Sequence, residues 1–222
     1  MNKAFYAIPL ILVLFAGSCK KETVIVVDLG YDYFPVEIGK YVIYDVERIF
    51  VDDPVNVADT FHYQLKEIIT EDYIDNEGNL AQRIERFERD NDTLPWVIAD
   101  VWASNRLAAS GQRVEENIRI IRMAFPVRDN LVWDANALNA ELERPMKYEE
   151  IHAPRSVNGF QFDSTVMIVT TLEPNLVDTI IDTEIRARDI GVVYKNYVKT
   201  NTQIDGTTGN KLTMQVIDYG ME

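Results

Sequence analysis

From Lys40 onward the chain is built of runs rich in Val, Ile, Thr, Tyr and Phe, each closed by Asp, Asn, Gly or Pro. That composition predicts β-strands joined by turns. In the first run Tyr41, Ile43 and Asp45 alternate with Val42, Tyr44 and Val46. Apolar side chains therefore fall on both faces, and the strand is expected to be well covered. The run Phe61-His62-Tyr63-Gln64-Leu65-Lys66 alternates cleanly. Asp75-Asn76-Glu77-Gly78-Asn79 then supplies turn residues before the run from Leu80 to Arg89, which predicts a hairpin.

Leu94 to Ala103 and Val114 to Phe125 predict a second pair around Ala109-Ser110-Gly111, and Val114, Ile118 and Ile121 also fit a helix. Asn158-Gly159 is a two-residue turn signal before Phe160-Gln161-Phe162 and the β-branched run through Thr171. Val192 to Thr200 and Lys211 to Tyr219 flank a turn containing Asp205-Gly206 and Gly209-Asn210. Trp133 to Glu143 and Asp178 to Asp189 read as short helices. The fold class is mostly β: an antiparallel meander forming a barrel-like or strongly curved sheet, with one or two short helices.

Before Lys40 the pattern changes. Lys3 precedes an apolar run from Ala4 to Phe15, followed by the small residues Ala16, Gly17 and Ser18. This is the layout of an export signal. The run is shorter than the roughly 20 apolar residues a spanning helix needs, and Pro9 interrupts it. Cys19, the only cysteine in the chain, stands where cleavage is expected. The segment Leu14-Phe15-Ala16-Gly17-Ser18-Cys19 resembles the lipobox of bacterial lipoproteins, with Ala16 where Leu is commoner. The resemblance implies a diacylglycerol thioether on Cys19, a tether over residues 19–30 and a single β domain over 31–222. Val24-Ile25-Val26-Val27 within the tether is apolar enough to add a strand. Two or more acyl chains hold a protein stably on a membrane. Lys20 does not resemble the aspartate that retains enterobacterial lipoproteins at the inner membrane. The expected address is therefore the outer membrane, facing either the periplasm or the cell surface.

The formal charge is −14, and residues 1–18 carry Lys3 and no acid, so the remainder is one unit more negative. Such a chain repels polyanions, and no basic stripe with interleaved aromatics compensates, which excludes nucleic acid as a partner. With Cys19 consumed by lipid, the domain has no thiol for a disulfide, a nucleophile or a metal ligand. No cofactor is expected. Two isolated histidines give no zinc spacing. Asp90-Asn91-Asp92 begins like a calcium loop, but Leu94-Pro95 falls where further ligands belong, so it reads as a turn.

Catalytic chemistry finds little support. His62 and His152 have no motif around them, and Ser164 lies in a strand-like run without a glycine-flanked elbow. Glu115, Glu116, Glu149, Glu150 and Asp163 could supply a carboxylate pair for glycan hydrolysis, but 36 acids make chance proximity common. Trp96 and Trp102, at strand spacing and on one face with Ile98, and Trp133 are the candidate ligand-contacting aromatics for an apolar, glycan or protein partner. The leading expectation is a membrane-anchored, non-catalytic binding or assembly component. The alternative is a carboxylate-dependent glycan hydrolase.

The run Tyr33-Phe34-Pro35-Val36-Glu37-Ile38-Gly39-Lys40-Tyr41-Val42-Ile43-Tyr44 resembles the start of a family of uncharacterised envelope lipoproteins of bacteroidete-type bacteria. Val36 and Tyr41 stand where Leu and Trp are commoner. Further matches are Arg83-Ile84-Glu85-Arg86-Phe87, Phe125-Pro126-Val127, Trp133-Asp134-Ala135-Asn136-Ala137, with Asp134-Ala135 where Asn-Gly is commoner, and Asp189-Ile190-Gly191-Val192-Val193-Tyr194-Lys195. The resemblance implies an address and a fold class, without an activity. Physically these motifs read as architecture: Pro35 fixes the start of a strand, Gly39 permits a tight turn, and the aromatics cap an end of the core.

Overall fold

The computed structural model describes residues 27–222. The export signal, Cys19 and the tether up to Val26 lie outside the described residues. Twelve strands follow a 3-10 turn at Tyr31–Tyr33. They are β1 (Lys40–Asp52), β2 (Val57–Ile74), β3 (Leu80–Arg89), β4 (Val97–Arg106), β5 (Ser110–Glu115) and β6 (Ile118–Ala124) in the first half. The second half holds β7 (Val132–Asp134), β8 (Pro145–Val157), β9 (Phe160–Thr170), β10 (Asp178–Ala187), β11 (Gly191–Gln203) and β12 (Gly206–Met221).

All twelve form one sheet in the order β6-β5-β4-β3-β2-β1-β12-β11-β10-β9-β8-β7. Each strand pairs with its neighbour in sequence except β6 and β7, which end the order, and β1 pairs with β12 to join the two halves. The sheet curls until its outer strands meet: Ile121 N donates to Ala135 O at 2.9 Å, and Trp133 Nε1 donates to Ile121 O at 3.0 Å. The result is a nearly closed antiparallel barrel, which leaves little edge to be protected.

Turn chemistry sets the hairpins. Between β2 and β3, Asp75 Oδ1 accepts from the backbone of Glu77 and Asn79, both at 2.9 Å, an arrangement that Asp favours in turns. Glu116 and Asn117, between β5 and β6, both take positive φ, 48° and 64°, and so does the Asn158-Gly159 pair between β8 and β9. Two such residues make the tight turn whose twist matches a hairpin. The run Val114 to Phe125 is thus the end of one strand, a turn and a second strand, not a helix.

The two expected helices are absent from the described residues. Trp133 to Glu143 is a short strand followed by turns, because Asp134 Oδ1 accepts from the backbone of Asn136 and Arg144, each at 2.8 Å. Short polar side chains of this kind divert backbone donors from a helix. Asp178 to Asp189 holds strand β10. Its buried side chains include Asp182, Glu184 and Arg186, so the alternation that marks a strand is carried by charges.

Residues 27–39 close the end of the barrel where β1 begins, here the proximal end. Tyr33 and Phe34 are buried, and Phe34 lies so close over Gly111 that a Cβ there would stand 2.7 Å from its ring. Gly39 turns the chain into β1 with φ 88°, its N–H bonded to Ile69 O and its carbonyl to Glu222 N. Two apolar clusters fill the barrel. One gathers Val42, Tyr44, Val46 and Leu65 with β11 and β12, and the other gathers Tyr33 and Phe34 with β6, β8 and β9.

Candidate functional site

Alternation along β1 sends Val42, Tyr44 and Val46 inward, where all three are buried. The β1–β2 register places Leu65 opposite Tyr44, and Glu67 opposite Val42, on that same face. Arg86 of β3 faces Glu67, and Lys195 of β11 faces Glu184 of β10. Charged residues therefore project into a nearly closed barrel and must pair there, since an unpaired charge in such a setting is costly.

They do pair. Glu67 receives Arg86 Nε at 3.1 Å and Arg113 Nη1 at 2.8 Å. Glu184 receives two hydrogen bonds from Arg186, at 3.1 and 2.8 Å, and one from Lys195 at 3.0 Å. Arg122 reaches Glu184 at 3.4 Å, and Arg144 reaches the almost wholly buried Asp182 at 3.5 Å. Burial pushes the Glu67 and Glu184 carboxyls up, but the surrounding cations outweigh it and hold both below the ordinary range. Burial likewise pushes Glu115 up, and Arg122 and Lys195 overcome it to leave a value of about 2. These carboxylates are ionised anchors. A general acid for glycan hydrolysis needs the opposite shift.

Above this charged layer the wall is uneven. β1 and β2 extend to Asp52 and Val57, whereas β5, β6 and β7 have only 6, 7 and 3 residues. The inner face of the tall wall is left open at the distal end. Arg48 pairs with Phe61, Phe50 with Asp59, and Val46 with Tyr63, so all six side chains continue the inward face. A concavity of about 1080 Å³ opens there, lined by Phe50, Phe61 and Tyr63 with Arg48, Asp59 and Glu88. Phe50 and Phe61 are 43% and 52% exposed, which is unusual for two phenylalanines on one concave surface. Leu94, Pro95, Val97 and Ile98 complete its rim.

The three tryptophans are not brought together. Trp102 lies under the Arg86 guanidinium, 3.6 Å from its ring centroid, and donates to Glu116. Trp96 precedes β4 and stacks under Arg89. A register shift between Arg86 and Phe87 puts an extra residue into β4, so Ile98 and Trp96 leave the face that holds Trp102. Trp133 sits at the β6–β7 closure, tilted against Tyr148. Only the Trp96 neighbourhood borders the concavity, through Arg89 and Pro95.

The remaining candidates are dispersed. Glu149 pairs with Lys147 at 2.6 Å, and Glu150 pairs with Arg155. Asn91 Oδ1 accepts from Thr93 N at 3.1 Å, so Asp90-Asn91-Asp92 forms a turn. His62 stands on the exposed part of β2, 3.7 Å from Glu47, and borders the distal concavity. His152 and Ser164, by contrast, meet: Tyr33 Oη lies 2.8 Å from His152 Nδ1 and 2.7 Å from Ser164 Oγ. Arg188 donates to Ser164 Oγ at 3.1 Å and grips Asp32 and Asp28. Neither the concavity nor the interior cavities are lined by His152 or Ser164. The cluster clasps residues 28–33 to the proximal end of the barrel.

Sequence reasoning missed the open inner face of the tall wall and the charged interior. The signal for the second is present: Asp182, Glu184 and Arg186 recur at the strand period of two. The first carries no such mark, because Arg48, Phe50, Asp59 and Phe61 become a surface only when the wall opposite is short.

No protein-family model matches this chain, and no curated protein matches it significantly. Solved structures with a similar course of the backbone include a candidate lipoprotein of Parabacteroides distasonis. It is 9% identical, with a TM-score of 0.44, and the match covers 85% of this chain and 98% of that one. Another is a candidate exported protein of Bacteroides fragilis with a YmcC-like fold. It is 10% identical, with a TM-score of 0.40 and coverage of 83% and 98%.

Proposed function

We propose that this chain is an outer-membrane lipoprotein, anchored through Cys19, whose barrel binds a neutral oligosaccharide in the distal concavity without acting on it. The observation that carries this reading is the pair of exposed phenylalanines, Phe50 and Phe61, beside planar polar groups on one concave face. Rings suit the apolar faces of sugars, and Arg48, Asp59 and Glu88 suit their hydroxyls. The polarity of the molecule agrees. Residues 27–39 pack at the start of β1, and the concavity lies towards its other end, so a tether at Cys19 would direct the opening away from the bilayer.

The test is calorimetric titration of the detergent-purified lipoprotein with neutral linear gluco-, xylo- and galacto-oligosaccharides. Saturable binding that Phe61→Ala weakens at least tenfold is expected. Absence of binding across the panel, or binding indifferent to Phe50→Ala and Phe61→Ala, would reject the reading. Release of shortened sugars would favour the hydrolase instead.

A further inference from the structure

We propose that the barrel interior binds one monatomic anion, of the size of chloride or bromide, between Arg113, Arg122, Arg186 and Lys195. This is independent of the oligosaccharide reading, since the site lies below the distal concavity among different residues. A cavity of about 30 Å³ lies there, with Glu67 and Glu184 as the acids in its lining. One water needs roughly 10–15 Å³ on this measure, so the space accommodates a halide or about two waters.

The charge count favours the halide. Four cations line the cavity against two carboxylates. The excess persists over the wider cluster. Arg86 divides its hydrogen bonds between Glu67 and the more exposed Asp100. That leaves Arg113, Arg122, Arg144, Arg186 and Lys195 facing Glu67, Glu115, Asp182 and Glu184 among the described residues. Guanidinium groups do not shed their protons, so the excess is not relieved by titration of the arginines. Lys195 gives a hydrogen bond to Glu184 at 3.0 Å.

A donor is also left over. Arg113 gives Nη1 to Glu67, while its buried Nε has no partner among the described residues. A buried donor without an acceptor is uncommon and costly. Arg113 also lines a second cavity of about 40 Å³ on the side of Phe34 and Lys40. The two carboxylates in the lining are outnumbered by three guanidinium groups and one ammonium, so the lining favours an anion over a metal cation.

The experiment has two arms, both on the full-length lipoprotein in detergent. Thermal unfolding is followed as sodium chloride replaces sodium gluconate at constant ionic strength, and crystals grown in sodium bromide are measured at the bromine absorption edge. A saturable rise of a few degrees with chloride is expected, together with an anomalous peak within hydrogen-bond reach of Arg113. Arg113→Gln is expected to abolish the chloride dependence. Should that variant fail to fold, the bromide map of the unaltered protein decides alone. Identical unfolding in the two salts overturns the proposal, as does a map with no peak in the cavity.

Discussion

Arg122 holds Glu115 by two hydrogen bonds, Nε to Oε1 at 2.8 Å and Nη2 to Oε2 at 2.5 Å. The side chains are only 8% and 13% exposed. A bidentate pair of this kind is strong because guanidinium and carboxylate are both planar and the water that would compete is excluded. It ties β5 to β6 inside the barrel, close to where the sheet closes on β7.

The pair makes the fold acid-sensitive. The folded-state value of Glu115, about 2, lies below its ordinary 4.5, so its contribution is complete above about pH 4.5 and is lost as pH falls towards 2. At 1.36 kcal/mol per unit the loss is about 3 kcal/mol. Glu67 and Glu184 are shifted in the same direction and add to it. Urea unfolding between pH 7 and pH 2.5 should show stability falling steeply below pH 4.5. A profile flat to pH 3 would mean that these carboxyls are not held as described.

Breaking the pair from one side should cost more than removing it. Arg122→Met leaves Glu115 and Glu184 short of a cation in a buried setting, and losses of about 3–5 kcal/mol are typical of such changes. Replacing both partners, as Glu115→Leu with Arg122→Met, should recover a substantial part of that loss. The coupling energy from a double-mutant cycle measures it, and a value near zero would deny the interaction.

The sequence disclosed the parts of this architecture that rest on local rules. Asp75 to Asn79 and Asn158-Gly159 are turns because of their own side chains and φ angles, and both were readable directly. So was the role of Tyr33, Phe34 and Gly39 as a cap and turn at one end of the core. What escaped was set by tertiary context. The segment Asp178 to Asp189, expected as a helix, is strand β10, whose inner face is Asp182, Glu184 and Arg186. Along β10 a charged inner face takes the place of the apolar set that usually points inward. The exchange of faces between Trp96 and Trp102 depends on one extra residue in β4, which no period-two count contains.

Gly111→Ala probes the proximal cap. A Cβ at this position would lie 2.7–2.9 Å from three atoms of the buried Phe34 ring, which itself packs near Arg186. Overpacking of this kind costs about 1–3 kcal/mol. The companion change Phe34→Leu should relieve part of the penalty in the double variant. Equal stability of Gly111→Ala and the unaltered protein would show that Phe34 moves aside freely, contrary to its burial.

The proposed anchor at Cys19 is open to a direct test. Cys19→Ser removes the thiol that lipid addition requires, so the protein should leave the membrane fraction and lose labelling by a fatty-acid analogue. Continued labelling would assign the acyl chain to another residue and remove the basis for orienting the barrel on a membrane.

The last prediction separates binding from folding along one face of β2. Phe61 is half exposed on the inner face of the tall wall, whereas Leu65, four residues along the same face, is 1% exposed in the core. Phe61→Ala should therefore change stability by no more than about 0.5 kcal/mol, the range of surface substitutions. Leu65→Ala should cost about 2–5 kcal/mol, because it removes buried methyl groups and leaves a cavity beside Tyr44. If the distal concavity serves a ligand, the order reverses for affinity: Phe61→Ala loses it, and folded Leu65→Ala keeps it. Measuring both quantities on both variants distinguishes a functional phenylalanine from a structural one. A large stability loss on Phe61→Ala would place that ring in the core and leave the concavity without its principal contact.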